Sequence, residues 1–185
     1  MLTKKMQEII DALNADRQGV LNAIAGLTDA QLGYRTAADQ WSISNILHHL
    51  ALVEEGNLKL FAMMTRKAEE SNAAPDPSPD GSVIDCVDQY REILLDRKNR
   101  ITAPDRVNPL TPLAAAEGLA RLQASREKVI AAAEQLGRYD LSLLKWPHPL
   151  LGELHLYQWF LFVGQHEKRH TAQIEEIKSN PNFPK

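Results

Sequence analysis

Apolar residues recur at three- and four-residue spacing along most of the chain, a period that predicts helices. From Thr3 to about Gly26 the stripe is Met6, Ile9, Ile10, Leu13, Val20, Leu21 and Ile24, with Asp11, Asp16 and Arg17 assigned to the outside. Leu27 to Gln40 reads as a connector in which Thr28-Asp29 caps a short turn. Trp41-Ser42 opens a second long helix that reaches about Glu70 on a stripe of Ile43, Ile46, Leu47, Leu50, Val53, Leu58 and Phe61. The run SNAAPDPSPDG, residues 71–81, is too rich in proline for a helix and predicts a loop.

Helical spacing returns from Ser82 to about Ile101 through Val83, Val87, Tyr90, Ile93 and Leu94, and the prolines between Ala103 and Pro112 end it. Thr111-Pro112 has the form of an N-cap followed by proline at the first helical position. The helix it predicts runs through Leu113, Leu119, Leu122, Val129 and Ile130 to Leu136, where Gly137 stops it. A second connector, Arg138 to Glu153, leads to a last helix from Leu156 to Lys178. No segment alternates with period two between turn signals, so no sheet is expected. Four long helices and one extra helical segment predict an all-α fold, a four-helix bundle, with residues 1–185 as one domain. The connectors exceed what a minimal up-down bundle needs, which points to a crossover or to loops shaping a pocket.

Charge removes one class of partner. Lysine and arginine number 21 against 24 acidic residues, a formal charge of −3. With no basic surplus, nucleic acid is not an expected partner. The single cysteine, Cys86, excludes a disulfide framework or a CxxC site and fits a reducing cytoplasm. The first residues, MLTKKMQEII, lack the apolar core of a signal peptide, and no run approaches the ~18 apolar residues of a membrane span. The expectation is a soluble cytoplasmic protein with no membrane partner.

The chemistry concentrates in the last helix. On a helical wheel, Trp159, Val163, His166, His170, Ile174 and Ile177 fall within roughly 80° of one another, with Leu156 at the edge. His166 and His170 therefore lie in the apolar stripe, opposite a face assigned to Lys168, Arg169 and Glu176. Imidazoles at i and i+4 can reach one cation, although such a pair is also compatible with a hydrogen-bonded core pair or a subunit contact. A third ligand has to come from another helix. His48 and His49 are adjacent in the second helix, and the wheel turns His49 toward the border of its stripe and His48 toward solvent. Three imidazoles with water in the remaining positions make an open site of the kind that does chemistry. Glu54, Gln165 and Gln173 are candidates to orient the rings, with Glu167 an outer or proton-transfer candidate. His148 and His155 are assigned to the surface of the connector, and Trp41 and Trp159 to the core.

His166-Glu167-Lys168-Arg169-His170 also matches H-E-x-x-H, in which the glutamate of a zinc protease is the general base. Fifteen residues follow His170 and carry no H-x-x-G-x-x-H extension, and Glu175 and Glu176 sit on the wrong faces of the helix. The match is read as coincidental.

Two stretches resemble a known family. Trp41-Ser42-Ile43-Ser44-Asn45-Ile46-Leu47-His48-His49-Leu50, followed by Glu54, is similar to the second-helix signature of the DinB-like superfamily. The run HPLLGELHLYQWFLFVGQHEKRHTAQI, His148 to Ile174, resembles its fourth-helix signature, H-P-x-x-G-x-L, then Q-W-x-x-F, then H-x-x-x-H-x-x-Q. The resemblance implies a four-helix bundle holding a divalent metal ion on three histidines, which by motif position are His49, His166 and His170. It leaves zinc, nickel, iron and manganese open, with zinc or nickel first. Members of that superfamily include transferases and isomerases that use low-molecular-weight thiols such as bacillithiol, mycothiol or glutathione, and many are homodimers. A thiol-dependent transferase acting on a small electrophilic substrate is the first functional expectation. A hydrolase using metal-bound water and a non-catalytic, stress-related metal-binding dimer are the alternatives.

Overall fold

The computed structural model describes residues 2–96, 102–109, 111 and 113–185. The expected helix end near Ile101 and the proline at position 112 lie outside the described residues. Four long helices carry the fold: α1 (Lys4–Ile24), α3 (Ile43–Glu70), α5 (Ala115–Leu136) and α6 (Leu156–Lys178). A short α2 (Asp29–Gly33) follows α1, and α4 (Asp88–Leu95) continues a 3-10 turn at Ile84–Val87.

Local signals explain most of the boundaries. The Thr3 hydroxyl accepts from the Met6 amide at the start of α1. Thr28 with Gln31 and Ser42 with Asn45 close reciprocal capping boxes at α2 and α3. Helix α5 starts later than its Thr-Pro signal suggests, after Ala114, and no side chain caps it.

Contacts along the helices give their directions. Glu55 pairs with Arg121 and Glu69 meets Gln135, so α3 and α5 run parallel. Arg17 meets Glu167 and the Ala23 carbonyl meets Lys178, so α1 and α6 are parallel as well. Phe61 stacks on Phe160 while His49 meets His166, so α3 and α6 are antiparallel. Two parallel neighbours joined in sequence need a long return, and residues 71–114 provide it as a crossover. The crossover follows α6 on its way. Tyr90 donates to the Gln158 carbonyl, and Arg169 donates to the carbonyls of Leu94 and Asp96.

The α5–α6 connector contains a hairpin, against the expectation of no strand. β1 (Lys145–His148) pairs antiparallel with β2 (Gly152–His155). Each strand is four residues long, and β1 is mostly exposed on both faces, so there was no alternation to read. Among the described residues no helix is long and apolar enough to cross a membrane.

The core is two apolar clusters with a polar layer between them. One holds Met6, Leu13, Phe61, Val129, Leu136 and Phe160; the other holds Val20, Ile46, Leu50, Leu122, Ile174 and Ile177. Between the clusters each long helix contributes a buried polar group: Arg17 from α1, Glu54 from α3, Arg126 from α5, and Glu167 and His170 from α6. Arg17 and Arg169 are therefore inside, not on the outer faces assigned to them, whereas Leu21 and Ile93 are exposed.

Candidate metal centre

Three elements supply the polar layer's imidazoles and their partners. His49 lies in the second turn of α3, where the capping box fixes the start of the helix. His166 and His170 lie one turn apart in α6. The crossover then brings residues 105–109 across the N-terminal end of α3, where the Pro109 carbonyl accepts from Asn45.

The three rings converge. His49 Nε2 is 3.3 Å from His166 Nε2, and His170 Nε2 is 3.2 Å from the same atom. All three ligand atoms lie within 4.8 Å of one another. Two imidazole nitrogens bound at ~2.0–2.1 Å to one ion, a tetrahedral angle apart, are separated by ~3.3 Å. The two separations that involve His166 Nε2 match that value.

Hydrogen bonds at the far side of two rings set their tautomers. His49 Nδ1 donates to the Val107 carbonyl at 2.7 Å, and His170 Nδ1 donates to the Gln173 carboxamide oxygen at 2.8 Å. A carbonyl oxygen can only accept, so in the neutral rings both Nε2 atoms are left with lone pairs. Both lone pairs face His166 Nε2, which carries at most one proton and can satisfy one of them. A cation at the common point would resolve this conflict.

Burial keeps two of the rings, His49 and His166, in their neutral form. Burial pushes His49 down to about 4, against a smaller upward pull from its bond to Val107. Burial also pushes His166 well below the ordinary imidazole value, with His170 and His49 adding to the shift. At neutral pH neither ring therefore carries the second, imidazolium proton that a metal would have to displace. Aromatic faces hold the rings in place: Trp41 packs on His49 at 4.8 Å and on His170 at 6.3 Å, and Phe162 stacks on His166 at 5.5 Å. Trp41 is half-buried against the imidazoles and is not a plain core filler. Among the described residues no further His, Cys, Asp or Glu joins this group.

The other candidates take different positions. Of the three residues considered for orienting the rings, Gln173 alone bonds to one among the described contacts. Glu54 and Glu167 are turned to the arginines: Glu167 accepts from Arg17 at 2.6 Å and from Arg126 at 2.9 Å. Its place one residue after His166 sends it about 100° around the helix. With both carboxylate oxygens held by these arginines, the H-E-x-x-H match does not provide a base beside the histidines. The Gln165 side-chain oxygen is buried with no hydrogen-bond partner among the described residues. His48 is half-buried, with Nδ1 3.1 Å from the Thr111 carbonyl.

His148 and His155 are not the surface residues they were expected to be. His148 Nδ1 accepts from the Leu150 and Leu151 amides and so closes the hairpin turn. Its ring packs on Phe162 at 4.7 Å, which places Phe162 between His148 and His166. Burial, then the nearby Arg106, pushes His148 down to about 4. His155 is the N-cap of α6, its Nδ1 accepting from the Gln158 amide.

Sequence reasoning missed the buried arginines. Leu13 and Val20 are seven apart with Arg17 between them, and Leu122 and Val129 are seven apart with Arg126 between them. A stripe that skips one turn and resumes is the signal that a charge occupies the inward position.

Comparison with known proteins places this arrangement in a family. The sequence model of the DinB superfamily matches residues 12–174. The uncharacterised protein YuaE of Bacillus subtilis (strain 168) is 30% identical over 166 residues, 89% of this chain and 94% of that protein. A crystal structure of TT2238, described as a four-helix bundle protein, superposes with a TM-score of 0.60 at 19% identity, covering 91% of this chain and 96% of that one. At that identity the likeness speaks for the fold alone. The match over most of the length shows that the chain belongs to the DinB superfamily.

Proposed function

We propose that His49, His166 and His170 hold a divalent metal ion with coordination positions left open, and that this centre serves thiol-dependent transfer to a small electrophilic molecule. The observation that carries the reading is the convergence of three Nε2 atoms, two of them stripped of their proton by Val107 and Gln173. A divalent ion there supplies a Lewis acid able to hold a small thiol as its thiolate.

The chain's own residues do the rest. Val107 and Gln173 keep the lone pairs of His49 and His170 inward, and Trp41 and Phe162 limit ring rotation. With no fourth His, Cys, Asp or Glu joining the group among the described residues, a coordination position is left for a substrate atom. Thiol chemistry is the finer part of the reading and rests on the family resemblance. A soluble, cytoplasmic homodimer belongs to the same reading.

The test uses protein loaded separately with zinc, nickel, iron or manganese. Each form is assayed with monobromobimane or chlorodinitrobenzene and a panel of low-molecular-weight thiols. Turnover that needs both metal and thiol, and is lost in His166→Ala, is the expected result. Metal-dependent ester or amide cleavage without thiol would replace transfer by hydrolysis, and no metal-dependent turnover with any thiol would remove the transfer reading.

A further inference from the structure

The polar layer holds four charged side chains that the metal reading does not use. Arg17, Glu54, Arg126 and Glu167 come from four different helices, and all are buried. They form a closed, neutral ring. Arg17 donates Nε to Glu167 Oε1 at 2.6 Å and Nη2 to Glu54 Oε2 at 2.7 Å. Arg126 donates Nε to Glu54 Oε1 at 2.8 Å and Nη2 to Glu167 Oε2 at 2.9 Å. Ser125 adds a hydroxyl to Glu54 Oε2 at 3.0 Å.

Stability alone does not account for such a ring. Taking four charges out of water is costly, and a well-packed apolar layer of similar volume is often as stable or more so. What apolar packing does not supply is direction. Burial of hydrocarbon is non-directional and tolerates sliding, whereas forked charge-assisted bonds fix both distance and angle.

The wiring bears on one coordinate. Each glutamate sits on a helix that carries candidate ligands, Glu54 five residues after His49 and Glu167 one residue after His166. Each glutamate accepts from both arginines. Sliding α3 against α6 therefore stretches one bond while compressing another. The arginines are fixed in turn by each other's helices: Arg17 Nη1 donates to the Leu122 carbonyl of α5, and Arg126 Nη1 to the Leu13 carbonyl of α1. A site built from two helices tolerates only about ±0.2 Å in its ligand distances.

We infer that the Arg17–Glu54–Arg126–Glu167 ring is a register clamp that positions His49 against His166 and His170 for the metal ion. The four side chains are positioning residues: they act through the histidines and do not touch the ion. The inference rests on the metal reading above.

The test separates register from folding. In Arg17→Met/Glu54→Leu/Arg126→Met/Glu167→Leu the ring becomes an apolar layer. Cobalt(II) affinity is measured by competition with a chromophoric chelator, together with the cobalt absorption spectrum and thermal unfolding of the metal-free protein. The expected result is retained helicity and cooperative unfolding, with a dissociation constant raised ~10–100-fold and altered ligand-field bands. A folded quadruple variant that binds cobalt within a factor of three of wild type, with the same spectrum, overturns the inference. Should that variant fail to fold, Arg126→Lys decides. Lysine keeps the charge but cannot bridge both glutamates and the Leu13 carbonyl, so affinity should fall. Wild-type affinity in Arg126→Lys counts against the clamp. Wild-type protein that takes up no cobalt overturns the metal reading and the clamp with it, whereas tight wild-type binding with indifferent variants overturns the clamp alone.

Discussion

Replacing Gln173 by alanine removes one hydrogen bond and, on this account, changes which nitrogen of His170 carries the proton. In the native site Nδ1–H points at the Gln173 oxygen at 2.8 Å, so Nε2 presents its lone pair toward His166. Without that acceptor the proton can move to Nε2, where it would oppose a cation. The direct effect on folding is that of one part-buried hydrogen bond, about 0.5–1.5 kcal/mol. The effect on metal affinity is larger. Loss of a partner that orients a ligand weakens metal binding ~10–100-fold, equivalent to about 1.4–2.7 kcal/mol. Chelator competition with zinc and cobalt, run beside thermal unfolding of the metal-free protein, reads both quantities. Gln173→Met should lose affinity like alanine, because it restores volume but not an acceptor of comparable strength. Gln173→Glu should keep or raise affinity. If Gln173→Ala binds metal within a factor of two of wild type, the tautomer argument fails.

Three other predictions follow from the same structure. His155 caps α6 through Nδ1, and burial first, then Lys145, lowers its pKa, so the neutral capping form is favoured by folding. A depressed folded value means the cap's contribution is complete above the unfolded value of ~6.5 and is lost as pH falls through the folded one. His155→Asn, which caps without titrating, should therefore lose less stability than wild type between pH 7.5 and pH 5, and His155→Ala should cost ~1 kcal/mol at pH 7.5. Thermal unfolding at the two pH values checks this; equal acid sensitivity in wild type and asparagine variant would refute it. At Gly137 a β-carbon would lie 2.4 Å from Met6 Cγ and 3.0 Å from the Ala133 carbonyl, in a packed region. Gly137→Ala should cost about 1–3 kcal/mol in urea unfolding, even though its φ of −63° suits alanine. Metal at a hundredfold excess over its dissociation constant should add ~2.7 kcal/mol, a melting-temperature rise of ~5–10 °C that a chelator reverses.

The legible parts of the fold are those where chemistry follows helical period. The bounds of α6, the Thr28 cap, the Ser42 start of α3 and the loop after Glu70 are all visible as residue patterns. Two helical wheels turn His166 and His170 into their apolar stripe and His49 to the border of its own, and the family resemblance names the same three. That the rings meet depends on the antiparallel packing of α3 on α6, which no wheel contains. What was illegible has a common cause: a rule that puts charge outside cannot see charge that is paired inside. Arg17, Arg126 and Arg169 each find fixed acceptors, two in glutamates and one in the Leu94 and Asp96 carbonyls. Sequence gives the donors but not the distant acceptors. The hairpin was hidden for another reason. Pro147 interrupts β1, and its register rests on pairing with a strand only a turn away, where no hydrophobic alternation is needed.

The central claim is that His49, His166 and His170 share one metal ion. Its most direct test is metal stoichiometry on protein purified without a histidine tag, with X-ray absorption at the metal edge. The account predicts one ion per chain, imidazole nitrogens at ~2.0–2.1 Å for zinc, and loss of the ion in each of the three single alanine variants. Full metal content in His166→Ala, or wild-type protein that takes up no divalent ion, would contradict it.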